Sequence, residues 1–178
     1  PAATVLAGDY IFARAAELAA QTDSVDVMRD FADTLATIVN GEITQMFTSR
    51  GLASRDDYYQ RIFAKTASMF ELATKCAALI SSVSKDVVEN VRLLGYEFGM
   101  AFQIVDDILD FTGEQTTVGK PVASDLRQGL VTLPAIYFLE ANPENEDMLA
   151  VLEGQYHSDE RMTRLVEAIR SSGSIELA

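Results

Sequence analysis

The sequence predicts an all-α protein, and three observations support this prediction. Almost every long segment carries apolar residues at the spacing of a helix, and none shows the alternation of a half-buried strand. The chain has 178 residues, of which 48% are hydrophobic, so it can fill one sizeable core. It contains no repeat and no recognisable linker. We therefore expect a single domain, residues 1–178, in which long helices surround a cavity or a tight core.

The predicted helices follow one another with short breaks. Residues 5–21 are apolar and Ala-rich enough for a buried helix, and residues 24–47 form a second helix with Ser24 as its N-cap. Its apolar positions include Val27, Phe31, Leu35 and Ile38. Further helices are predicted at 58–80, 85–111, 130–141, 145–154 and 158–173, with Pro134 in the first turn of the third of these.

Composition excludes several functions. The 27 acidic and 14 basic side chains give a formal net charge of −13, which argues against non-specific binding to nucleic acid or anionic membranes. No apolar stretch approaches the roughly 20 residues of a membrane span. The single Cys76 fits a reducing compartment, so we expect a cytoplasmic protein. The single His157 leaves no histidine pair for a zinc site.

Three carboxylates interrupt an otherwise apolar run in the segment "AFQIVDDILDFTG", residues 101–113. They are Asp106, Asp107 and Asp110, here called the aspartate triplet. Because each residue of a helix turns about 100°, the triplet lies within one arc, and Gln103 falls in the same arc one turn earlier. The opposite side is expected to be a core face, made of Ala101, Val105, Ile108 and Leu109.

The triplet has two interpretations. An ordinary solvated helix face is one, but like charges at this spacing repel, and no Lys or Arg lies within a turn. The other is a cation site, with Gly95 and Gly99 clearing side chains from beside it at some cost in helix propensity. Carboxylates without a nearby His or Cys favour Mg²⁺, which commonly binds one or two carboxylates together with substrate phosphates.

Basic and hydroxyl groups that could complete such a site lie elsewhere in the chain. Thr66 falls in the middle of an apolar arc, and Lys65 lies on the flank of that arc; the arc is defined by Ile62, Phe70, Ala73 and Ala77. Thr66 could equally bond back to its own helix, and Lys65 could extend to solvent. A polar, turn-rich segment, residues 112–129, is predicted to be a loop. Lys120 lies in this loop between glycine and proline, and it is either a surface lysine or a group that closes over an anion. The roles of three more loop residues stay open: Asp125, Arg127 and Gln128.

Four segments together resemble the trans-isoprenyl diphosphate synthases, or polyprenyl synthetases. In chain order they are "GDYIFARA", "KTASMF", "GYEFGMAFQIVDDILDF" and "GKPVASDLRQGLVTLP", and the resemblance covers roughly residues 5 to 139. It implies an all-α bundle of the isoprenoid synthase type around a central cavity, usually as a homodimer. It also implies head-to-tail condensation, in which an allylic diphosphate ionises with Mg²⁺ assistance and isopentenyl diphosphate attacks the allylic cation.

The resemblance also implies roles for individual residues. Asp106, Asp107 and Asp110 match the family's second aspartate-rich motif, which holds Mg²⁺ against the allylic diphosphate. The residues that match contacts to that substrate are Lys65, Thr66, Gln103 and Lys120. Of all these, Asp106, Asp107 and Lys65 are expected to be catalytic, because metals and preorganised donors stabilise the charge that builds up as diphosphate leaves.

Two features depart from the family pattern. The first aspartate-rich motif and most residues that bind isopentenyl diphosphate belong upstream of Pro1, and the family continues past residue 178. We therefore expect a fold incomplete at both ends and a chain that is inactive alone. Many short-chain members carry lysine where this chain has Leu130, which favours longer-chain members. Two alternatives stay open: a non-catalytic partner subunit of a prenyl diphosphate synthase, and a class I terpene cyclase, which the "GKP" and "KT" segments disfavour.

Overall fold

The structure, a computed structural model, describes residues 2–48, 54–113, 122–155 and 158–178. Every regular element in these ranges is helical, which confirms the all-α prediction. None of the helices in these ranges combines the length and apolar character needed to cross a bilayer. The α-helices are α1 (Ala2–Ala20), α2 (Val25–Thr48), α3 (Arg55–Ile62), α4 (Ser68–Leu79), α5 (Lys85–Thr112), α6 (Ser124–Arg127), α7 (Leu133–Ala141), α8 (Glu146–Leu152), α9 (Asp159–Ser171) and α10 (Ser174–Leu177).

Local sequence explains where several helices begin. The Ser24 hydroxyl accepts a hydrogen bond from the Val27 amide at 3.3 Å, which confirms the predicted N-cap of α2. Ser54, Ser84 and Asn145 cap α3, α5 and α8 in the same way. The four-residue helices α6 and α10 are too short to show a helical period, and the sequence did not predict them.

The fully buried core lies on one side of the molecule. It joins α3 and the C-terminal end of α5 to α6, α7, α8 and α9. Its largest fully buried side chains include Tyr58, Phe111, Leu126, Leu133, Ile136, Met148, Leu165 and Ile169. The aspartate triplet is therefore on a helix whose end is anchored in this core through Phe111.

Two predicted core surfaces are exposed instead. Helix α1 has no buried residue, so the prediction that it is a buried helix is wrong for this chain. On α5, Val105 and Leu109 are 53% and 56% exposed, although sequence placed them on a core face. The physical reason is similar in both places: α1 packs only against α2 among the described elements, and no described element covers this face of α5. The buried side of α5 includes Met100, Asp107 and Phe111.

Gly95 and Gly99 bring α5 close to α4. A Cβ added at Gly99 would lie 2.6 Å from the Ala67 Cα, and one added at Gly95 would lie 2.7 Å from the Phe70 carbonyl oxygen. The expectation that these glycines clear a strip beside the triplet is therefore wrong. They are required because neighbouring backbone occupies the space that a side chain would fill.

One π-helical turn, Phe63–Ala67, joins α3 to α4. A π turn inserts an extra residue, so it rotates the following helix relative to the preceding one. Ile62, before the turn, is buried, whereas Ala73 and Ala77, after it, are exposed. The apolar arc predicted by uniform α-helical spacing therefore does not hold across the turn, which contains both Lys65 and Thr66.

The helix contact at Gly99 can be tested with a matched pair of substitutions. Alanine at Gly99 is expected to lower the free energy of unfolding by about 1–3 kcal/mol, because its methyl group overlaps backbone that cannot move away. Alanine at Gly8, which has nothing within 4 Å of the added Cβ, is expected to raise it by up to about 1 kcal/mol through helix propensity. Urea unfolding of both variants measures the difference, and equal effects would contradict the close contact.

Candidate active site

The candidate site lies where the π turn faces the C-terminal half of α5. The contact between Gly99 and Ala67 sets the distance between these elements. One turn further along α5, the Gln103 side-chain carbonyl accepts a hydrogen bond from the hydroxyl of Thr66, the residue before Ala67, at 2.8 Å. Of the two explanations left open for Thr66, the structure supports a contact with another helix.

A chain of hydrogen bonds continues from Gln103 into the core. The Gln103 amide donates to one carboxylate oxygen of Asp107 at 2.9 Å, and the Tyr58 hydroxyl donates to the other at 2.8 Å. Asp107 is 4% exposed and Tyr58 is fully buried. The series Thr66, Gln103, Asp107, Tyr58 is here called the hydrogen-bond chain. It holds Asp107 from both sides.

Burial dominates the electrostatics of this chain. It raises the pKa of Asp107, while the hydrogen bonds from Tyr58 and Gln103 act to lower it. Burial and the negative charge of Asp107 raise the pKa of Tyr58 far above its ordinary value, so its hydroxyl remains a neutral donor. Burial lowers the pKa of Arg61, whose guanidinium lies 5.5 Å from the centre of the Tyr58 ring.

Asp110 points toward a different neighbour. One of its carboxylate oxygens accepts from the Ser124 amide at 3.1 Å and from the Ser124 hydroxyl at 2.9 Å. The other accepts from the Asp125 amide at 3.2 Å. The carboxylate thus satisfies amides at the start of α6, a position where a negative charge is favourable. Asp110 ties the loop after α5 to the helix that carries the triplet.

Asp106 is the exposed member of the triplet. It accepts no hydrogen bond from any residue that the structure describes. It lies at a groove of about 330 Å³ whose other lining residues are apolar. They are Phe98, Ala101, Phe102, Val105 and Leu109. The surface predicted to be a core face is therefore an apolar wall with one carboxylate on it.

The three carboxylates have separate surroundings and do not converge on one point. In the described part of the chain, no group of three acidic, His or Cys side chains is arranged to enclose a metal ion. The donor chemistry still fits Mg²⁺, which binds carboxylate oxygens and retains several waters. Asp106 has both oxygens available, whereas Asp107 and Asp110 already accept hydrogen bonds on each oxygen.

Two cations lie one helical turn apart beside the triplet. Lys65 is exposed and Arg61 is half-buried, and neither forms an ion pair with a described carboxylate. Both act on the half-buried Asp125: burial and Asp110 raise the pKa of its carboxyl group, and Lys65 and Arg61 lower it. Asp106 acts on the same group, so charges of both signs face one region.

A pocket adjoins this region. Its volume is about 230 Å³, and it lies between α2, α3 and the segment that precedes α7. Arg61 lines the pocket and donates to the Val131 carbonyl oxygen. Leu130 also lines this pocket, and Arg61 is the one basic side chain among its described lining residues.

The structure thus brings most of the predicted site residues to one region. Thr66 on the π turn contacts Gln103 on α5, and the charge of Lys65 acts on Asp125, whose amide donates to Asp110. Lys120 lies outside the described residues. Sequence reasoning missed Tyr58 and Arg61. A signal was present, because both precede Lys65 by one or two turns on the helix predicted at 58–80. A tyrosine and an arginine in a polar segment are, however, not distinctive.

Comparison with known proteins identifies the family. The sequence model for Polyprenyl synthetase matches residues 1–169. The chain belongs to the polyprenyl synthetase family. It is 35% identical to solanesyl diphosphate synthase 1, chloroplastic, of Arabidopsis thaliana over 98% of this chain and 42% of that protein. It is 29% identical to octaprenyl diphosphate synthase of Escherichia coli over 98% of this chain and 55% of that protein.

Solved structures of polyprenyl synthetases share the fold. The polyprenyl synthase of Caulobacter crescentus, complexed with calcium and isoprenyl diphosphate, superposes with a TM-score of 0.87 at 32% identity. That match covers 99% of this chain and 55% of the other. The geranylgeranyl pyrophosphate synthase of Bacteroides thetaiotaomicron also gives 0.87 at 32% identity, over 97% of this chain and 58% of the other. The chain spans about half the length of the relatives it matches.

The separate surroundings of the triplet predict separate effects on folding. Alanine at Asp110 is expected to lower the free energy of unfolding by about 1–3 kcal/mol, because it leaves the α6 amides without an acceptor. Asparagine at Asp106, an exposed position without a described hydrogen bond, is expected to change it by less than about 0.5 kcal/mol. Chemical denaturation of both variants measures this, and a larger loss at Asp106 would contradict the assignment.

Proposed function

We propose that the natural protein containing this chain is a trans-prenyltransferase. It condenses an allylic diphosphate with isopentenyl diphosphate to give a longer polyprenyl diphosphate. The observation that carries the proposal is the combination of a lysine without an ion pair, an open carboxylate and an apolar wall. Lys65, Asp106 and the groove along α5 together suit a ligand with a metal-bound diphosphate at one end and a hydrocarbon chain at the other.

The proposed mechanism assigns each side chain a task. Asp106 is the carboxylate best placed to bind Mg²⁺. Asp107 and Asp110 would add negative charge near the ion, and their oxygens could contribute the lone pairs that do not already accept hydrogen bonds. When bound, Mg²⁺ neutralises the charge that collects on the departing diphosphate. Lys65 binds the same diphosphate directly and, with an amide hydrogen of Gln103, stabilises it as the allylic carbon–oxygen bond breaks.

The hydrogen-bond chain keeps these groups in place before the substrate arrives. Thr66 holds Gln103, and Gln103 holds Asp107, so little reorganisation is needed when charge develops. The apolar wall, which includes Phe98 and Phe102, excludes water from the allylic cation and shields it until isopentenyl diphosphate attacks. Lys120 is proposed as a further diphosphate contact from the loop that follows α5.

Several further properties of the natural protein are proposed. The family match over residues 1–169 supports treating 1–178 as one domain and disfavours a terpene cyclase. The exposed apolar side chains of α1 support a homodimer, which light scattering of the natural protein would test; they include Val5, Leu6, Tyr10 and Ile11.

The cytoplasmic location stays a prediction, since relatives include chloroplastic enzymes. A non-catalytic partner subunit remains the second candidate, separated from the first by the assay below.

The decisive variant is asparagine at Asp106 in the natural protein. It is expected to lower kcat/KM for prenyl transfer by about 100-fold or more, because it removes negative charge where the metal binds. The measurement is incorporation of labelled isopentenyl diphosphate at several Mg²⁺ concentrations. Glu97→Gln provides the matched control, since Glu97 is an exposed acid on the opposite face of α5 and is expected to have no effect.

Two outcomes would count against the proposal. Near-normal turnover of the Asp106 variant would remove Asp106 from the mechanism. Absence of prenyl transfer by the unsubstituted natural protein, with activity appearing only on addition of a second polypeptide, would favour the partner-subunit function.

A further inference from the structure

Tyr58 combines complete burial with a polar task. Its side chain is fully buried, and its hydroxyl donates to Asp107 at 2.8 Å. A phenylalanine would fill the same space in the core without that donor. The ring therefore explains the packing, and only the hydroxyl explains why tyrosine is present.

The contact matters because Asp107 is adjacent to the open carboxylate. Asp107 accepts from Gln103 on one oxygen and from Tyr58 on the other, so the carboxylate cannot rotate without breaking a bond. The Tyr58 bond crosses from α3 to α5, whereas the Gln103 bond stays within α5. Tyr58 is thus the group that fixes Asp107 relative to the rest of the protein.

Arg61 strengthens this arrangement from behind the ring. Its guanidinium lies over the Tyr58 ring and is itself held by the Val131 carbonyl oxygen. A cation over the ring face restrains the ring and withdraws electron density, which makes the hydroxyl a better donor. The Arg61 charge thus acts against the burial and the Asp107 charge that raise the pKa of the Tyr58 hydroxyl.

We propose that Tyr58 is a positioning residue, which acts through Asp107 to set the affinity of the aspartate triplet for a divalent cation. Without the hydroxyl, one oxygen of a buried carboxylate lacks a partner, and the carboxylate turns away from its present orientation. The negative charge beside Asp106 is then no longer fixed in place. This inference rests on the proposed function only in naming the triplet as the cation site.

The test compares Tyr58→Phe with Tyr59→Phe in the natural protein. Tyr59 is the adjacent tyrosine on α3, but it is exposed, whereas Tyr58 is the tyrosine whose hydroxyl donates to Asp107. Binding of Mn²⁺, followed by electron paramagnetic resonance without substrate, gives a readout that does not depend on turnover. Tyr58→Phe is expected to weaken Mn²⁺ binding by about 10–100-fold, the usual effect of losing an outer partner of a metal ligand. Tyr59→Phe is expected to leave it unchanged.

A double-mutant cycle separates positioning from general destabilisation. If Tyr58 acts through Asp107, Tyr58→Phe combined with Asp107→Asn weakens Mn²⁺ binding no more than Asp107→Asn alone. Additive losses, or unchanged Mn²⁺ affinity with a lower melting temperature, would overturn the inference. Should Tyr58→Phe fail to fold, Asp107→Asn with Tyr58 retained serves as the second variant. Unchanged Mn²⁺ affinity in Asp107→Asn would also overturn the inference.

The outcomes also separate this inference from the proposed function. Weaker Mn²⁺ binding in Tyr58→Phe, in a protein that shows no prenyl transfer, supports the inference and contradicts the function. Normal prenyl transfer with identical Mg²⁺ dependence in both tyrosine variants supports the proposed function and contradicts the inference. If both hold, Tyr58→Phe is expected to raise the Mg²⁺ concentration for half-maximal turnover by about 10-fold or more, with excess Mg²⁺ restoring kcat.

Discussion

The close approach of α5 to the π turn and α4 is the constraint on which the site depends. At Gly95 and Gly99 the neighbouring backbone occupies the space of a side chain, so the two elements lie nearer than ordinary helices with larger residues between them. This proximity allows the 2.8 Å bond between Thr66 and Gln103 one turn later. A wider spacing would remove the first link of the hydrogen-bond chain, and Gln103 would then contact Asp107 without being held by Thr66.

A single helical turn places the three aspartates in three environments. Asp107 faces the core and accepts from Tyr58, Asp110 faces the loop and accepts from α6, and Asp106 faces the open groove. The divergence follows from helix geometry together with the elements on either side of α5, since each side presents its own donors. A motif that looks uniform in sequence therefore combines one open ligand with two carboxylates whose hydrogen bonds also stabilise the fold.

The sequence predicted the long helices and the cap at Ser24, because apolar spacing and capping residues are local signals. It also predicted that Thr66 and Gln103 share a site, through resemblance and not through geometry. The π turn could not be predicted, since Phe63–Ala67 contains nothing that distinguishes it from ordinary helix. The roles of Gly95 and Gly99 were misjudged for a related reason: a glycine signals space, but only tertiary structure says what fills it.

The exposure of α1 and of one face of α5 was not predicted either. Burial depends on what else is present, and the chain covers about half of its relatives' length. Apolar periodicity identified the correct surfaces without showing whether protein, ligand or a second copy covers them. The hydrogen bond from Tyr58 to Asp107 was missed because it joins residues 49 positions apart in a fold whose helix contacts were unknown.

The openness of Asp106 has a consequence for how this protein can change over evolutionary time. Asp107 and Asp110 accept hydrogen bonds that stabilise the fold, so substitutions there are selected against through lost stability as well as through lost activity. Asp106 has no such hydrogen bond in the described part of the chain, so replacements there are selected through their effect on activity alone. A substitution at the first aspartate of the triplet is therefore the simplest route to an altered metal preference. It is also the simplest route to a protein that keeps the fold and loses the activity.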